Sequence, residues 1–395
     1  MSILPWASLF VFGEMPRGFC WFSVPRDEWE LTDRSVDFIF SFLNRNRFEN
    51  LFVGWRWKVL ESKERMQAVV ITKKGGPGVL ELQEVPCPRP CSGFVLIRVR
   101  AFGLNRAETY FRSGKWGEAH PVSGIECVGQ VVEDPSGTFS PGQKVFALMG
   151  GLGRTLSGSY GAMVNAPIAN VVKVSSDLSW EVLAALPESF ATAHACLVDR
   201  LRIGAGDRLL VRGGSSALGR AAIVWAKILG AEVIASSRRE ERFASLSNLG
   251  ADHPILHEES LAPKIRSLCP GGVDAVLDLI GNRTLLDSMK AVRPGGRVCL
   301  AGFLGGGEPL SAFDPLSQMA PSVDLSFFAS FLFGTEGVPV PARALQDLVG
   351  RVERGELDLS PAHVFRWEEL PEAHRMMEEN RAEGKIVVLQ EGESV

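Results

Sequence analysis

Between residues 207 and 235 the apolar positions change period twice. Leu209, Leu210 and Val211 form a short continuous apolar run. A glycine- and serine-rich stretch follows, Gly213-Gly214-Ser215-Ser216-Ala217-Leu218-Gly219. Ala222, Ile223, Trp225, Ala226 and Leu229 then recur at spacings of three and four, Gly230 interrupts them, and 232–235 is a second short run. A continuous apolar run bounded by glycine predicts a buried strand, and the three-to-four spacing predicts a helix over 220–229. Strand, glycine turn, helix, strand is the βαβ unit of a dinucleotide-binding domain.

The rest of the chain falls into blocks around that unit. Over 66–185 short strands are predicted at 67–71, 80–84, 94–102, 126–132, 144–147 and 171–174, separated by Gly and Pro clusters. From 186 to 330 strands near 253–256, 275–278, 297–301 and 324–328 alternate with helices over 261–268 and 284–292. The stretch 327–333 reads mainly as core or subunit contact. The tail has helices over 342–354 and 371–380, a strand over 361–365 and a closing strand over 385–389. A terminal strand needs a sheet to join, and the first β-rich block is the host. The expected fold class is α/β: a Rossmann domain with a parallel, doubly wound sheet (188–330), inserted in a β-rich domain (66–187 and 331–395). Residues 1–65 differ in character. They hold five of the nine tryptophans and nine of the 23 phenylalanines, with only a short helix over 33–43. They read as an appended extension, and the sharper alternative is a partner- or membrane-touching segment.

The glycine turn has specific physics. Gly213 permits a backbone angle that a Cβ disfavours. Gly219 lets the helix start lie against the sheet. The free N–H groups of the first helical turn, those of Ala217 and Leu218 among them, point at an anion that the helix dipole favours. A pyrophosphate is the expected guest, with Ser215 and Ser216 adding hydroxyl donors. NAD sites place Asp or Glu at the end of the second strand for the ribose 2′-OH. Here Ser236, Ser237, Arg238 and Arg239 stand there, with Arg242 one turn on. A guanidinium forks onto a 2′-phosphate that a carboxylate would repel, so NADPH is expected over NADH.

Composition narrows the field. With 395 residues there is room for two domains. The net charge of −4 comes without a basic block, so there is no footprint for nucleic acid, and no apolar run reaches a membrane span. The N-terminus lacks the marks of a secretory leader. Seven scattered cysteines make no disulfide framework, and Cys87 and Cys91 read as loop residues rather than half a zinc site. A reducing cytoplasmic setting fits.

From Met66 to Gln390 the chain resembles the medium-chain dehydrogenase/reductase superfamily, in its zinc-free quinone oxidoreductase-like (ζ-crystallin-like) branch. The resemblance is carried by Ala101-Phe-Gly-Leu-Asn105 with Glu108 and Tyr110, Gly124-Ile-Glu126-Cys-Val-Gly129, Leu186-Pro-Glu188-Ser-Phe-Ala-Thr192, the glycine turn, Pro294-Gly-Gly296 and Gly384-Lys385, in family order. It implies a GroES-like β-rich domain, a homodimer and no metal. Zinc enzymes of the superfamily carry a catalytic Cys where this chain has Asn105, and a metal His where it has Ile125; neither residue here can replace an N or S ligand of that kind. The resemblance places Asn105 and Thr192 beside the nicotinamide. It implies cofactor-lining segments at Ile280-Gly281, Gly302 and Phe331–Phe333, and a Lys385 that reaches the cofactor phosphates. His257 stands where relatives often carry a Tyr touching the 2′-phosphate.

Bland readings accompany these. Asn105 can be a turn residue, Lys385 a solubilised strand edge, Glu126 a backbone-ordering group and His194 a satisfied half-buried histidine. Tyr110 is the candidate proton donor beside water. Trp116 stands where enoyl-thioester reductases of the superfamily carry a Tyr donor, and its indole N–H has no acid chemistry at neutral pH. The expected activity is NADPH-dependent, metal-free reduction of a quinone or α,β-unsaturated carbonyl, with Asn105, Tyr110, Trp116 and Thr192 at the reacting end. The alternatives are an enoyl reductase or dehydrogenase of a natural-product pathway, and a non-catalytic NADPH-binding protein.

Overall fold

The structure, a computed structural model, describes residues 64–117 and 119–390. The expectations for the N-terminal extension and its helix therefore lie outside the described residues, save that Arg65 already opens a strand.

Two large sheets share the chain. The first has seven strands: β3 (Phe94–Leu104), β4 (Glu126–Glu133), β5 (Lys144–Leu148), β6 (Met163–Pro167), β7 (Val171–Lys173), β14 (His363–Arg366) and β15 (Ile386–Leu389). They run in the order β14-β15-β3-β4-β5-β7, with β6 also on β3. A hairpin of β1 (Arg65–Ile71) and β2 (Leu80–Pro86) adjoins it: the Val69 N–H donates to Tyr160 O at 2.8 Å. The closing strand β15 pairs antiparallel with β3, from Ile386 opposite Leu104 to Leu389 opposite Ala101. β15 thus returns to the sheet that holds β3 to β7. Ile386, Val387 and Val388 are all buried, which is what holds it there.

The second sheet has six parallel strands: β8 (Arg208–Arg212), β9 (Glu232–Ser237), β10 (His253–Leu256), β11 (Val273–Asp278), β12 (Val292–Leu300) and β13 (Asp324–Phe327). Their order is β10-β9-β8-β11-β12-β13. The direction of winding reverses between β8 and β11, and a cleft opens at such a switch point beyond the strand ends. The inner strands are apolar throughout: Leu209, Leu210, Val211, Ala275, Val276 and Leu277 are fully buried. A parallel sheet covered on both faces requires such runs.

Some elements are not visible in the apolar pattern, helix α1 (Arg106–Ser113) and β6 among them. Helix α1 buries Glu108 and Arg112 completely, so its polar letters hide an inward face. It is defined by its ends: the Glu108 carboxylate accepts from the Asn105 N–H at 2.6 Å, and Gly114 closes it at φ +77°. β6 was missed because its run is short and ends on Pro167. Helix α2 (Pro187–His194) starts on a proline, which suits a first helical turn. Helix α3 spans Ala217–Ile228, three residues earlier than the apolar spacing marks, because Ser216 caps it by accepting from the Gly219 N–H at 3.1 Å. No helix of the described residues is long and apolar enough to cross a membrane.

Candidate active site

A cavity of about 1100 Å³ runs from the glycine turn to the start of α1. That exceeds a typical small-ligand pocket and suits a dinucleotide with a second molecule. Its nucleotide end is built by β8, β9 and β11. Gly213 adopts φ +87°, and Gly219 has no room for a side chain, since a Cβ there would stand 2.4 Å from Gly213 O. Gly219 is accordingly behind the wall rather than on it. Ser215, Ser216, Ala217 and Leu218 line the cavity. The Ser216 hydroxyl is committed, donating to Gly213 O at 2.8 Å while it caps Gly219. That corrects its expected role as a phosphate donor. The N–H groups of Ala217 and Leu218, in the first helical turn, have no intrahelical acceptor and remain for an anion.

Buried polar groups hold the rim of this end. Arg212, fully buried, donates to Asp287 at 2.7 Å and to the carbonyls of Glu258 and Glu259 at 3.0 and 3.1 Å. Asp278 closes β11 by accepting from the N–H groups of Ile280 and Gly281 at 2.9 and 3.1 Å and from the Ser288 hydroxyl at 2.6 Å. Ile280 and Gly302 line the cavity; Gly281 does not, lying at φ +106° packed against Gly302 O.

At the end of β9, Ser237, Arg238, Arg242 and His257 face the same cavity. Arg238 is exposed and has no hydrogen bond or ion pair among the described residues. Arg242 is already engaged with the Ser215 hydroxyl (3.3 Å), Asn380 O (3.1 Å) and Glu383 (3.2 Å). The Ser237 hydroxyl is turned to Arg239 O at 3.1 Å. The Nδ1 of His257 is buried with no partner, and burial pushes this imidazole below its ordinary pKa, with Arg212 adding to the effect. An unpaired guanidinium on the cavity wall fits a phosphate group.

The other end carries a buried cluster of charge. Lys385 Nζ lies 2.5 Å from Glu126 Oε1, 2.7 Å from Asn105 Oδ1 and 3.1 Å from Ser189 Oγ. The expectation that Lys385 reaches the cofactor phosphates is overturned: it is 7% exposed, away from the cavity wall, because Glu126 claims it. Its reading as a solubilised strand edge fails for the same reason. Glu126 also accepts from Asn105 Nδ2 and from the Glu188 N–H, both at 2.7 Å. It does order backbone, and it anchors an ammonium as well. Gly103 makes this possible, since a Cβ there would fall 2.3 Å from Lys385 Cε. Asn105 is thus the cap of α1 and a cavity-lining amide, with its oxygen facing Lys385. The Thr192 hydroxyl donates to Glu188 at 3.0 Å, and both line the cavity.

Tyr110 and Trp116 also line this end, ring centroids 4.8 Å apart, with Trp116 46% exposed at the mouth. The aromatic stretch 327–333, expected mainly as core or subunit contact, divides between core and cavity wall. Phe327 and Phe331 are more than half exposed and line the cavity, and the Arg154 guanidinium lies 5.5 Å from the Phe331 ring. Phe333, expected beside the cofactor, is 1% exposed and packs edge-on to Phe328, behind the wall. His194 is half-buried as expected but not satisfied: its Nδ1 has no partner, and its ring meets the edge of Trp225.

Comparison with known proteins decides the family. Residues 92–176 match the model described as the alcohol dehydrogenase GroES-like domain, and residues 217–337 the model described as zinc-binding dehydrogenase. A 2-haloacrylate reductase of Burkholderia sp is 30% identical over 337 residues, covering 82% of this chain and 99% of that protein. The chain belongs to the medium-chain dehydrogenase/reductase superfamily, in its zinc-free quinone oxidoreductase-like branch. The quinone oxidoreductase of Homo sapiens is 28% identical over 333 residues, 82% of this chain and 98% of the human one. A mycobacterial protein solved in complex with NADPH superposes with a TM-score of 0.72 at 28% identity, over 82% of this chain and 99% of its own. The chain is therefore an oxidoreductase of the medium-chain type. One family description names zinc, yet among the described residues no group of three or more His, Cys, Asp or Glu is placed to hold a metal ion.

The cavity of this medium-chain oxidoreductase also holds polar residues to which the sequence motifs assign no role, Arg106 and Glu188 among them. Arg106 follows Asn105 and donates to Met377 O at 2.6 Å. Glu188 lines the cavity beside Thr192. Its signal was available: a lone acid among the apolar letters of α2, right after the helix-starting proline.

Proposed function

We propose that this chain reduces quinones or α,β-unsaturated carbonyls with NADPH and without a metal. The observation that carries the reading is continuity: one cavity joins the glycine turn and Arg238 to Asn105, Tyr110, Trp116 and Thr192. The N–H groups of Ala217 and Leu218 would hold the pyrophosphate, and Arg238, with His257 behind it, the 2′-phosphate. Bound there, NADPH supplies a hydride.

The protein's own part is to orient and to exclude water. Asn105 and Thr192 are fixed by Lys385 and Glu188, so their polar atoms present one geometry to the nicotinamide end. Trp116, Tyr110, Phe327 and Phe331 offer aromatic walls to a flat, electron-poor acceptor. The human quinone oxidoreductase and the bacterial 2-haloacrylate reductase, both covered almost end to end, support the two acceptor classes.

Stopped-flow absorbance of NADPH against a panel of quinones, enones and haloacrylates is the test, with NADH in parallel. Oxidation of NADPH by at least one acceptor class, with NADH at least tenfold poorer in kcat/KM, is expected. Absence of oxidation with every acceptor would refute the reading.

A further inference from the structure

Reduction of a conjugated carbonyl or quinone by hydride leaves an anion on the substrate oxygen, and that anion must gain a proton. Tyr110 stands at the partly exposed mouth against Trp116. A different group lies deeper. Four carboxyls line the cavity: Glu188, Glu258, Glu259 and Glu383. The last three are at the nucleotide end, exposed, with Glu259 paired to Arg283 and Glu383 to Arg242. Glu188 alone is on the reacting side, beside Thr192.

Glu188 belongs to a cluster that cannot all be ionised. Glu108, Glu126 and Glu188 share one ammonium, that of Lys385. Buried like charges without a counter-ion are expensive, and such groups keep protons instead. Glu126 receives Lys385, the Asn105 amide and the Glu188 N–H, more donors than either of the other two carboxyls. Glu108 accepts two backbone N–H groups, from Asn105 and Ile125, yet does not line the cavity. The Glu188 carboxyl accepts only the Thr192 hydroxyl at hydrogen-bond distance, with the Ser330 hydroxyl facing it.

We propose that Glu188 stands protonated on the cavity wall and donates the proton that completes reduction of the substrate. The proposal rests on the reductase reading above. The carboxyl O–H bond breaks, its proton passes to the substrate anion, and its electron pair stays on Glu188 as a carboxylate. Water entering the open cavity re-protonates Glu188 once the neutral product leaves. Burial raises the Glu188 pKa, with Lys385 opposing and Glu126 adding to the rise. The buried Cys196 thiol is near enough for the charge of Glu188 to act on it.

The test is Glu188→Gln, with Glu188→Asp beside it. In ligand-free enzyme, infrared difference spectra across the neutral range should show one protonated-carboxyl band fewer in Glu188→Gln than in the parent. NADPH affinity, read by fluorescence, should stay within about threefold. Turnover should fall about 10²–10⁴-fold, the range for loss of a general acid, and Glu188→Asp should recover part of it. The parent pH–kcat profile should fall on the alkaline side, and that limb should vanish in Glu188→Gln. An unchanged infrared band in Glu188→Gln overturns the proposal. So does an alkaline limb that survives in Glu188→Gln but is lost in Tyr110→Phe. If the parent reduces no acceptor, the donor role falls with the reductase reading, while the infrared band still reports whether Glu188 holds the proton.

Discussion

Replacing Lys385 by Met probes the buried cluster most directly. The change keeps an unbranched side chain and removes the ammonium. Three contacts go: Glu126 at 2.5 Å, Asn105 at 2.7 Å and Ser189 at 3.1 Å. Glu126 is 0% exposed, so its carboxylate is left without a counter-ion away from water. Breaking a buried pair from one side costs about 3–5 kcal/mol. Glu126 keeps two donors, the Asn105 amide and the Glu188 N–H, which puts the expectation near the lower figure. About 3 kcal/mol corresponds to roughly a hundredfold shift in the folding equilibrium. Urea unfolding followed by far-UV circular dichroism measures it, with an unchanged slope showing that stability alone has moved. The double change Lys385→Met with Glu126→Gln removes both charges and should recover half or more of the loss, since the pair interacts. A single variant within about 1 kcal/mol of the parent would refute the idea that an ion pair holds this end together.

Three further outcomes follow from the same geometry. Arg238→Ala should lower NADPH affinity about 10–100-fold by calorimetry while NADH moves less than threefold, as expected for a lost charge-assisted bond; Arg242→Ala should do less, because that side chain is already engaged with Ser215, Asn380 and Glu383. Gly219→Ala places a Cβ 2.4 Å from Gly213 O, which should cost about 1–3 kcal/mol and weaken nucleotide binding together, both measurable by thermal shift with and without NADPH. Burial pushes the His374 imidazole from 6.5 down to about 3, with Arg112 adding to it. Below pH 6.5 the unfolded chain therefore takes a proton that the fold refuses, so stability is full above that pH and drains away as pH falls toward 3. At pH 4.5 this amounts to about 2–3 kcal/mol, and His374→Gln should lose less between pH 7 and 4.5 by urea titration.

The parallel sheet was legible because its strands are continuous apolar runs closed by glycine, and the order of β8, β9 and β11 follows from local connections. α1 was hidden because its inward face carries Glu108 and Arg112, residues that count as polar in any periodicity. The nucleotide end was legible in kind, since the glycine turn and the arginines after β9 are close in sequence. What those side chains already hold could not be read: Ser216 is a cap and Arg242 is bonded to a loop 138 residues on. The Lys385 cluster was illegible for a plainer reason. It joins residues 105, 126, 189 and 385, and the bonds depend on β15 lying beside β3. The resemblance supplied the letters without the pairing, so Lys385 was placed at the wrong end.

Arg242 sits on a short mechanical path. Its guanidinium ties the glycine turn, through Ser215, to Asn380 and Glu383, and only two residues beyond Glu383 the backbone delivers Lys385 to the interior. An anion that recruits Arg242 would compete with Glu383 for the same guanidinium. The nucleotide side of the cleft and the buried ammonium are thus served by one short stretch of backbone, residues 380–385.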